Sequence, residues 1–268
     1  MIKIIIFSIF SMATNVMAVD VYPLDMSKGR YDISKSWEGS HIYIPGSSFK
    51  KELKDISNNQ PMPVVVFMHG GGGIGPHDIG WAKFLSSNGY VVVLPDSFSI
   101  PNRVPNSDPT KKIANLRVVP VNLLRPVEAE FALSQLKLLK WADPNNLFLM
   151  GHSEGANAST YIKNLGYSGL IISSNLCHHG FHITEDIPIL AISFEEDTFL
   201  PNPLNFHCAN RWDTYYPADS QNTESRKISR ISPRKNATQL ILKGKGHSTY
   251  DNSIAKESVL SFLKKNAK

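Results

Sequence analysis

The ten residues Leu147-Phe148-Leu149-Met150-Gly151-His152-Ser153-Glu154-Gly155-Ala156 constrain this chain more than any other stretch. Four apolar residues in a row predict a strand buried on both faces. Gly151 to Gly155 predicts a very tight turn, and the small residues Ala156, Ala158 and Ser159 predict a helix opening directly after it. A serine at the tip of such a strand-turn-helix junction sits at a strained backbone angle, so the positions two before and two after it must be glycine or similarly small. Its hydroxyl is lifted clear of the turn, and the helix N-terminus behind it favours developing negative charge. A G-x-S-x-G in an ordinary glycine loop would lack both the strand and the helix, so Ser153 is a candidate nucleophile.

The rest of the chain supplies a sheet for this junction. Pro63 to Met68 is a continuous apolar run, as expected of a central parallel strand, and it empties into His69-Gly70-Gly71-Gly72-Gly73. Asp78 can cap a helix that runs to Asn88 and stops at Gly89, after which Tyr90 to Leu94 predicts the next strand. Strand, helix and strand in that order mean a parallel crossover. His41 to Pro45 predicts a short early strand, and Arg125-Pro126 starts a helix with Ala129, Ala132, Leu133, Leu136 and Leu139 on its buried face. The helix after Ser153 is predicted to reach about Leu165. Further strands are expected at Gly169 to Ser173, Pro188 to Ser193 and Thr238 to Leu242, with a closing helix from Ile254 to Lys264. The fold class is therefore α/β, a doubly wound, mostly parallel sheet. A chain of 268 residues, 42% hydrophobic, can bury such a core in one domain, and no internal repeat divides it. Residues 200 to 237 form a connection longer than a compact domain needs, a candidate lid, whose Arg226, Lys227, Arg230, Arg234 and Lys235 are read as a solvated basic face.

The first eighteen residues read differently. Lys3, the apolar stretch Ile4 to Phe10 and the small-residue site Val16-Met17-Ala18 form a secretory signal peptide, with cleavage expected after Ala18 and residues 19–268 as the mature domain. Ser8, Ser11, Thr14 and Asn15 break the apolar run well short of the roughly 20 residues that a membrane span needs. Secretion or a periplasmic location is expected, with no membrane insertion after cleavage. In an oxidising compartment Cys177 and Cys208 are expected to form a disulfide; two free thiols are the alternative if the chain is not exported. The net charge of +5 includes no run of basic residues interleaved with aromatics, so no nucleic-acid partner is expected.

A serine nucleophile needs a base within hydrogen-bond reach, and the base needs an acid to hold its tautomer. Ser153, Asp197 and His247 each follow a strand, in the order used by folds of this type. Glu195 and Glu196 compete with Asp197, but a shorter carboxylate held by a turn is the better-fixed partner for an imidazole. Glycines straight after a central strand let backbone N–H groups approach a ligand, so Gly71, together with the backbone N–H of Glu154, is the candidate oxyanion hole, with the donor among Gly70 to Gly73 left open. The run lacks the Gly-Lys-Ser/Thr ending of a nucleotide loop. His178, His179, His182 and His207 crowd near the cysteines in no familiar ligand spacing, so no metal is expected, and the chemistry requires no cofactor. Asp96 and Arg103, in the loop after the Tyr90 to Leu94 strand, are read as turn or surface partners.

These residues together resemble the α/β-hydrolase fold and, more narrowly, the dienelactone hydrolase-like family, from about Pro63 to the C-terminal helix. The resemblance is carried by His69-Gly70-Gly71, Leu94-Pro95-Asp96-Ser97-Phe98, Gly151-His152-Ser153-Glu154-Gly155, Glu195-Glu196-Asp197 and Gly246-His247. It places the acid before a short apolar-proline turn, here Thr198-Phe199-Leu200-Pro201, which favours Asp197. Dienelactone hydrolases proper use cysteine as nucleophile, whereas this chain has Ser153. Exported members of the wider family are similar in carrying a cysteine after the strand that follows the elbow helix and another after the acid, which fits Cys177 and Cys208. The resemblance implies a serine hydrolase of a small-molecule carboxylic ester or lactone, acting through an acyl-enzyme on Ser153. Two alternatives remain: a serine peptidase of the prolyl-oligopeptidase type, for which a preceding propeller domain would be expected, and a secreted binding protein that retains the fold without turnover.

Overall fold

A computed structural model of the protein describes residues 31–47, 49–56, 60–101, 103, 121–162, 166–175, 181, 186–199 and 236–268. Residues 1–18, Cys177, Cys208, the histidines at 178, 179, 182 and 207, the basic cluster and nearly all of the 200–237 connection lie outside them. Seven strands, β1 (His41–Tyr43), β2 (Met62–Met68), β3 (Val91–Leu94), β4 (Ala142–His152), β5 (Gly169–Ser173), β6 (Ile189–Asp197) and β7 (Ala237–Gly246), form one sheet in the order β1-β3-β2-β4-β5-β6-β7. Among these seven strands the β1–β3 pairing is antiparallel and the other five pairings are parallel. The helices are α1 (Ser34–Glu38), α2 (Pro76–Ser87), α3 (Val121–Leu136), α4 (Glu154–Thr160) and α5 (Ser253–Asn266).

The continuous apolar runs are explained by burial on both faces. Along β2, Val64, Val66 and Met68 enter one core with Leu147 and Leu149 of β4, while Val65 and Phe67 enter the other with Phe148 and Met150. That period of two is the strand's own geometry, and each face finds a helical layer to bury it. Because the central strands run parallel, their carboxyl ends share one edge. Met68 is level with Gly151, His152 with Ser173, and Asp197 with Gly246, so the segments carrying Gly71, Ser153, Asp197 and His247 all leave the sheet on that side. Open parallel sheets place their ligands there.

Several elements differ from the sequence expectation. Helix α2 begins at Pro76, not behind Asp78; proline suits the first helical position, and the Asp78 Oδ2 reaches back to accept from the Gly75 N–H at 2.8 Å. Its stop is as expected, with Gly89 at φ 94°. Helix α3 starts at Val121, which leaves Pro126 inside it. The proline forfeits one helical hydrogen bond, and the turn before it is anchored by the buried Leu124 and Arg125. Helix α4 ends at Thr160, short of Leu165. Strand β7 continues to Gly246 because β6 still pairs with it at Glu196 and Asp197, so the three acids lie on the strand end and not in a loop beyond it. Among the described residues no helix is long and apolar enough to cross a membrane.

Candidate active site

Ser153 stands between β4 and α4 at φ 51°, ψ −112°, outside the regions that L-residues ordinarily occupy, a conformation that costs about 1–3 kcal/mol. The glycines around it leave no room for a side chain. A Cβ at Gly151 would lie 2.6 Å from the Ala156 nitrogen, and one at Gly155 would overlap the Met68 carbonyl and lie 2.7 Å from the His69 oxygen. The elbow is pinned from the next strand: the Ser153 N–H donates to the Ser173 carbonyl at 2.9 Å, and the Asn175 amide donates to the Ser153 carbonyl at 3.3 Å.

His247 follows β7, and its Nδ1 lies 2.9 and 2.8 Å from the two Asp197 oxygens. The Asp197 side chain is fully buried and also accepts from the Phe199 N–H at 2.9 Å. With Asp197 as the acceptor, Nδ1 is the donor side of the imidazole in this contact. Glu195 is occupied elsewhere, accepting from the Gly244 N–H at 2.7 Å, and Glu196 is exposed. His247 is tied to the strand that pins the elbow. Ser174, at φ 53°, donates its hydroxyl to the His247 carbonyl at 2.6 Å, and Ser173 and Thr249 share a hydroxyl pair at 2.7 Å. The His247 ring lies 4.9 Å from the His152 ring and 4.8 Å from the exposed Phe199 ring. The structure thus brings Ser153, Asp197 and His247 to one edge, with His152 and the end of β5 contacting both the Ser153 segment and the His247 segment.

The glycine run lies against the elbow, since a Cβ at Gly70 would sit 3.5 Å from the Ser153 Cβ. Its turn is closed by the Gly73 N–H donating to the Gly70 carbonyl at 3.1 Å, with Gly73 at φ 91°. His69 locks it. Nδ1 pairs with the Gly70 carbonyl at 2.7 Å and Nε2 accepts from the Ser97 N–H at 3.1 Å, which only the neutral Nδ1–H tautomer satisfies. Burial and the neighbouring Arg125 guanidinium hold the His69 pKa well below the usual imidazole range. His152 is likewise held well below it by burial, then by His77 and His247. Of these three histidines, His247 is the one paired with a carboxylate, that of Asp197.

One cluster was not foreseen. Arg103, expected at a turn or on the surface, is buried, with Nη2 2.5 Å from the Glu154 Oε1 and Nε donating to the Ser97 hydroxyl at 3.0 Å. Asp96 behaves as expected, accepting from the Phe98 N–H and the Ser99 hydroxyl, each at 3.0 Å. Arg125 and Glu128 of α3 are also buried, and with Arg103 and Glu154 they make a cluster of two cations and two carboxylates behind the nucleophile. Burial raises the Glu128 pKa and Arg125 opposes that rise. The signal was present in the spacing, because Arg125 and Glu128 fall on the same helical stripe as Ala129, Ala132 and Leu136. Among the described residues no group of three histidine, cysteine or acidic side chains is arranged to hold a metal.

No family model matches the sequence, and no curated protein matches it. Solved structures do. A Klebsiella pneumoniae protein named as a dienelactone hydrolase superposes with a TM-score of 0.53 at 12% identity, over 84% of this chain and 92% of that one. The butyrate-bound esterase Est2 of Thermogutta terrifontis gives 0.55 at 13% identity, over 88% and 93%. Ferulic acid-bound Est1E of Butyrivibrio proteoclasticus gives 0.53 at 12% identity, over 85% and 94%. At these identities the likeness concerns architecture: the chain has the α/β-hydrolase fold.

Proposed function

We propose that the protein is an exported serine hydrolase that cleaves a carboxylic ester or lactone through an acyl-enzyme on Ser153. The observation that carries this reading is the buried Asp197 bonded to His247 Nδ1 on the same sheet edge as a serine held at φ 51° on a glycine-flanked elbow. Nε2 of His247 takes the hydroxyl proton as Ser153 Oγ attacks the substrate carbonyl. The resulting oxyanion is held by the N–H groups of Glu154 and Gly71, and the leaving alcohol departs with the proton from Nε2. Water activated by the same nitrogen then releases the acid and regenerates the serine. Asp197 keeps the ring in register and stabilises the imidazolium without itself becoming protonated.

The ester preference is supported by the named activities of proteins that share the architecture. The Thermogutta esterase is seen with butyrate and phosphorylated by paraoxon, and Est1E is seen with ferulic acid. Purified protein assayed on esters of graded acyl length, beside a series of peptide amides, tests the reading. Hydrolysis of esters with little amide cleavage is the expected result. Preferential amide cleavage would transfer the protein to the peptidase class, and turnover of neither would leave a binding protein.

Export is supported by the Lys3, Ile4 to Phe10 and Val16-Met17-Ala18 pattern, and with it the Cys177–Cys208 disulfide. Such a bridge contributes on the order of 3 kcal/mol in the chain-entropy model. Intact mass after non-reducing alkylation tests both proposals. A chain starting at Val19 with neither cysteine alkylated is expected, and two alkylated thiols would refute the bridge.

A further inference from the structure

The chemistry above leaves the charges buried behind Ser153 without a task. A buried ion cluster is no better for stability than apolar packing of the same volume, so its position asks for another explanation. An oxyanion hole works only when its two donors are fixed relative to each other. Here they ride on separate segments: the Glu154 N–H on the elbow after β4, and the Gly71 N–H on the loop after β2. Sheet pairing joins the two segments as far as Met68 and Gly151, and no further.

Beyond that point the two segments pack on each other, and one guanidinium contacts both. Arg125 is completely buried, and its Nη2 donates to the His69 carbonyl at 3.0 Å, two residues before Gly71. Its Nη1 lies 3.5 Å from the Glu154 Oε1, the side chain of the residue that carries the other donor. Nη1 is also 3.4 Å from both His69 ring nitrogens, so it lies along the ring and not on one lone pair. The contact between Nε and the Glu128 Oε2, at 3.2 Å, is close enough for an ion pair but misaligned for a hydrogen bond. The directed interaction of Arg125 therefore goes to the glycine-loop side, and Glu128 balances its charge.

We propose that Arg125 is a positioning residue for the oxyanion hole: one arm of its guanidinium donates to the His69 carbonyl and the other makes an ion pair with the Glu154 carboxylate, which sets the separation of the Gly71 and Glu154 N–H groups. The proposal rests on Ser153 being the nucleophile. A planar guanidinium can direct a hydrogen bond to one acceptor while keeping its charge near a second, whereas lysine presents a single flexible point charge. Arg103 holds Glu154 from its other side through the same Oε1, and Ser97 completes the ring: its hydroxyl donates to the Glu128 Oε1 at 2.6 Å and its N–H to His69.

The test compares Arg125→Lys and Arg125→Met with the parent on an activated ester and on its thiono counterpart, recording kcat, KM and the thermal midpoint. A thiono sulfur accepts hydrogen bonds poorly, so the oxo-over-thiono preference in kcat reads the hole itself. Both variants are expected to lose about 10²-fold in kcat, the scale of one displaced donor, with the preference falling at least about tenfold. KM should stay within about threefold, because the lost interaction belongs to the transition state. A kcat loss with the preference intact would reduce Arg125 to a structural part and overturn the proposal, as would an unchanged kcat. If Arg125→Met does not fold, Arg125→Lys, which keeps the charge and most of the volume, decides on the same ratio. Failure of the underlying reading shows separately, as parent-like turnover by Ser153→Ala.

Discussion

Replacing Asp197 by asparagine is the sharpest test of the acid–base pair, because the structure dictates what the amide must do. Both Asp197 oxygens lie within 2.9 Å of His247 Nδ1, and Oδ1 also accepts from the Phe199 N–H. Whichever way asparagine turns, its NH₂ faces the ring nitrogen at that distance. The side chain is fully buried, so water cannot relieve the donor–donor contact. That contact favours the other tautomer, with Nδ1 accepting from the amide and the proton on Nε2, where it can no longer take the Ser153 proton. The same exchange in the serine-protease triad lowers kcat by about 10⁴-fold, and a loss of that order is expected here with KM and thermal midpoint little changed. Glu195→Gln and Glu196→Gln serve as controls and should stay within about threefold, since neither carboxylate reaches the imidazole. The assay is steady-state hydrolysis of the best ester. Retention of more than about a tenth of parent kcat by Asp197→Asn, or a crippling loss from either glutamine, would refute the assignment.

Gly155→Ala should lower stability by about 3 kcal/mol or more, read from urea midpoints, because the new Cβ meets the backbone of Met68 and His69 and not a side chain that could turn aside. Acidification should destabilise the protein: His69 and His152 have folded pKa values below their ordinary 6.5, so the unfolded chain binds protons that the folded one refuses. Stability is complete above about pH 6.5 and is lost as the pH falls below it, by up to about 1.4 kcal/mol per pH unit for each histidine. Urea melts at pH 7 and pH 5 check this, and equal midpoints would contradict it.

What the sequence disclosed follows from how locally each feature is determined. The elbow was legible because its constraint is covalent and short-range: only glycine fits at 151 and 155, and a strand and helix flank them. The strands β2 to β5 were legible because burial on both faces leaves an uninterrupted apolar run. Element ends were less so. Pro126 reads as a helix start, yet the preceding turn is helical because tertiary burial of Leu124 and Arg125 outweighs one lost hydrogen bond. Arg103 was misplaced for a related reason. A buried cation is tolerable only beside specific carboxylates, and its partner Glu154 is distant in sequence. Asp197 was preferred to its neighbours by a resemblance and an argument about length; its contact with His247, 50 residues away, is a property of the fold.

Covalent trapping of the nucleophile tests the central claim most directly. A fluorophosphonate reagent reacts with a serine only where a base removes its proton and donors hold the developing charge on phosphorus-bound oxygen, so labelling requires the assembled site and not the serine alone. Mass spectrometry of the digested adduct should place one label on the peptide containing Ser153, and Ser153→Ala should take up none. Labelling that persists in Ser153→Ala, or a folded parent that is never labelled, would contradict the account.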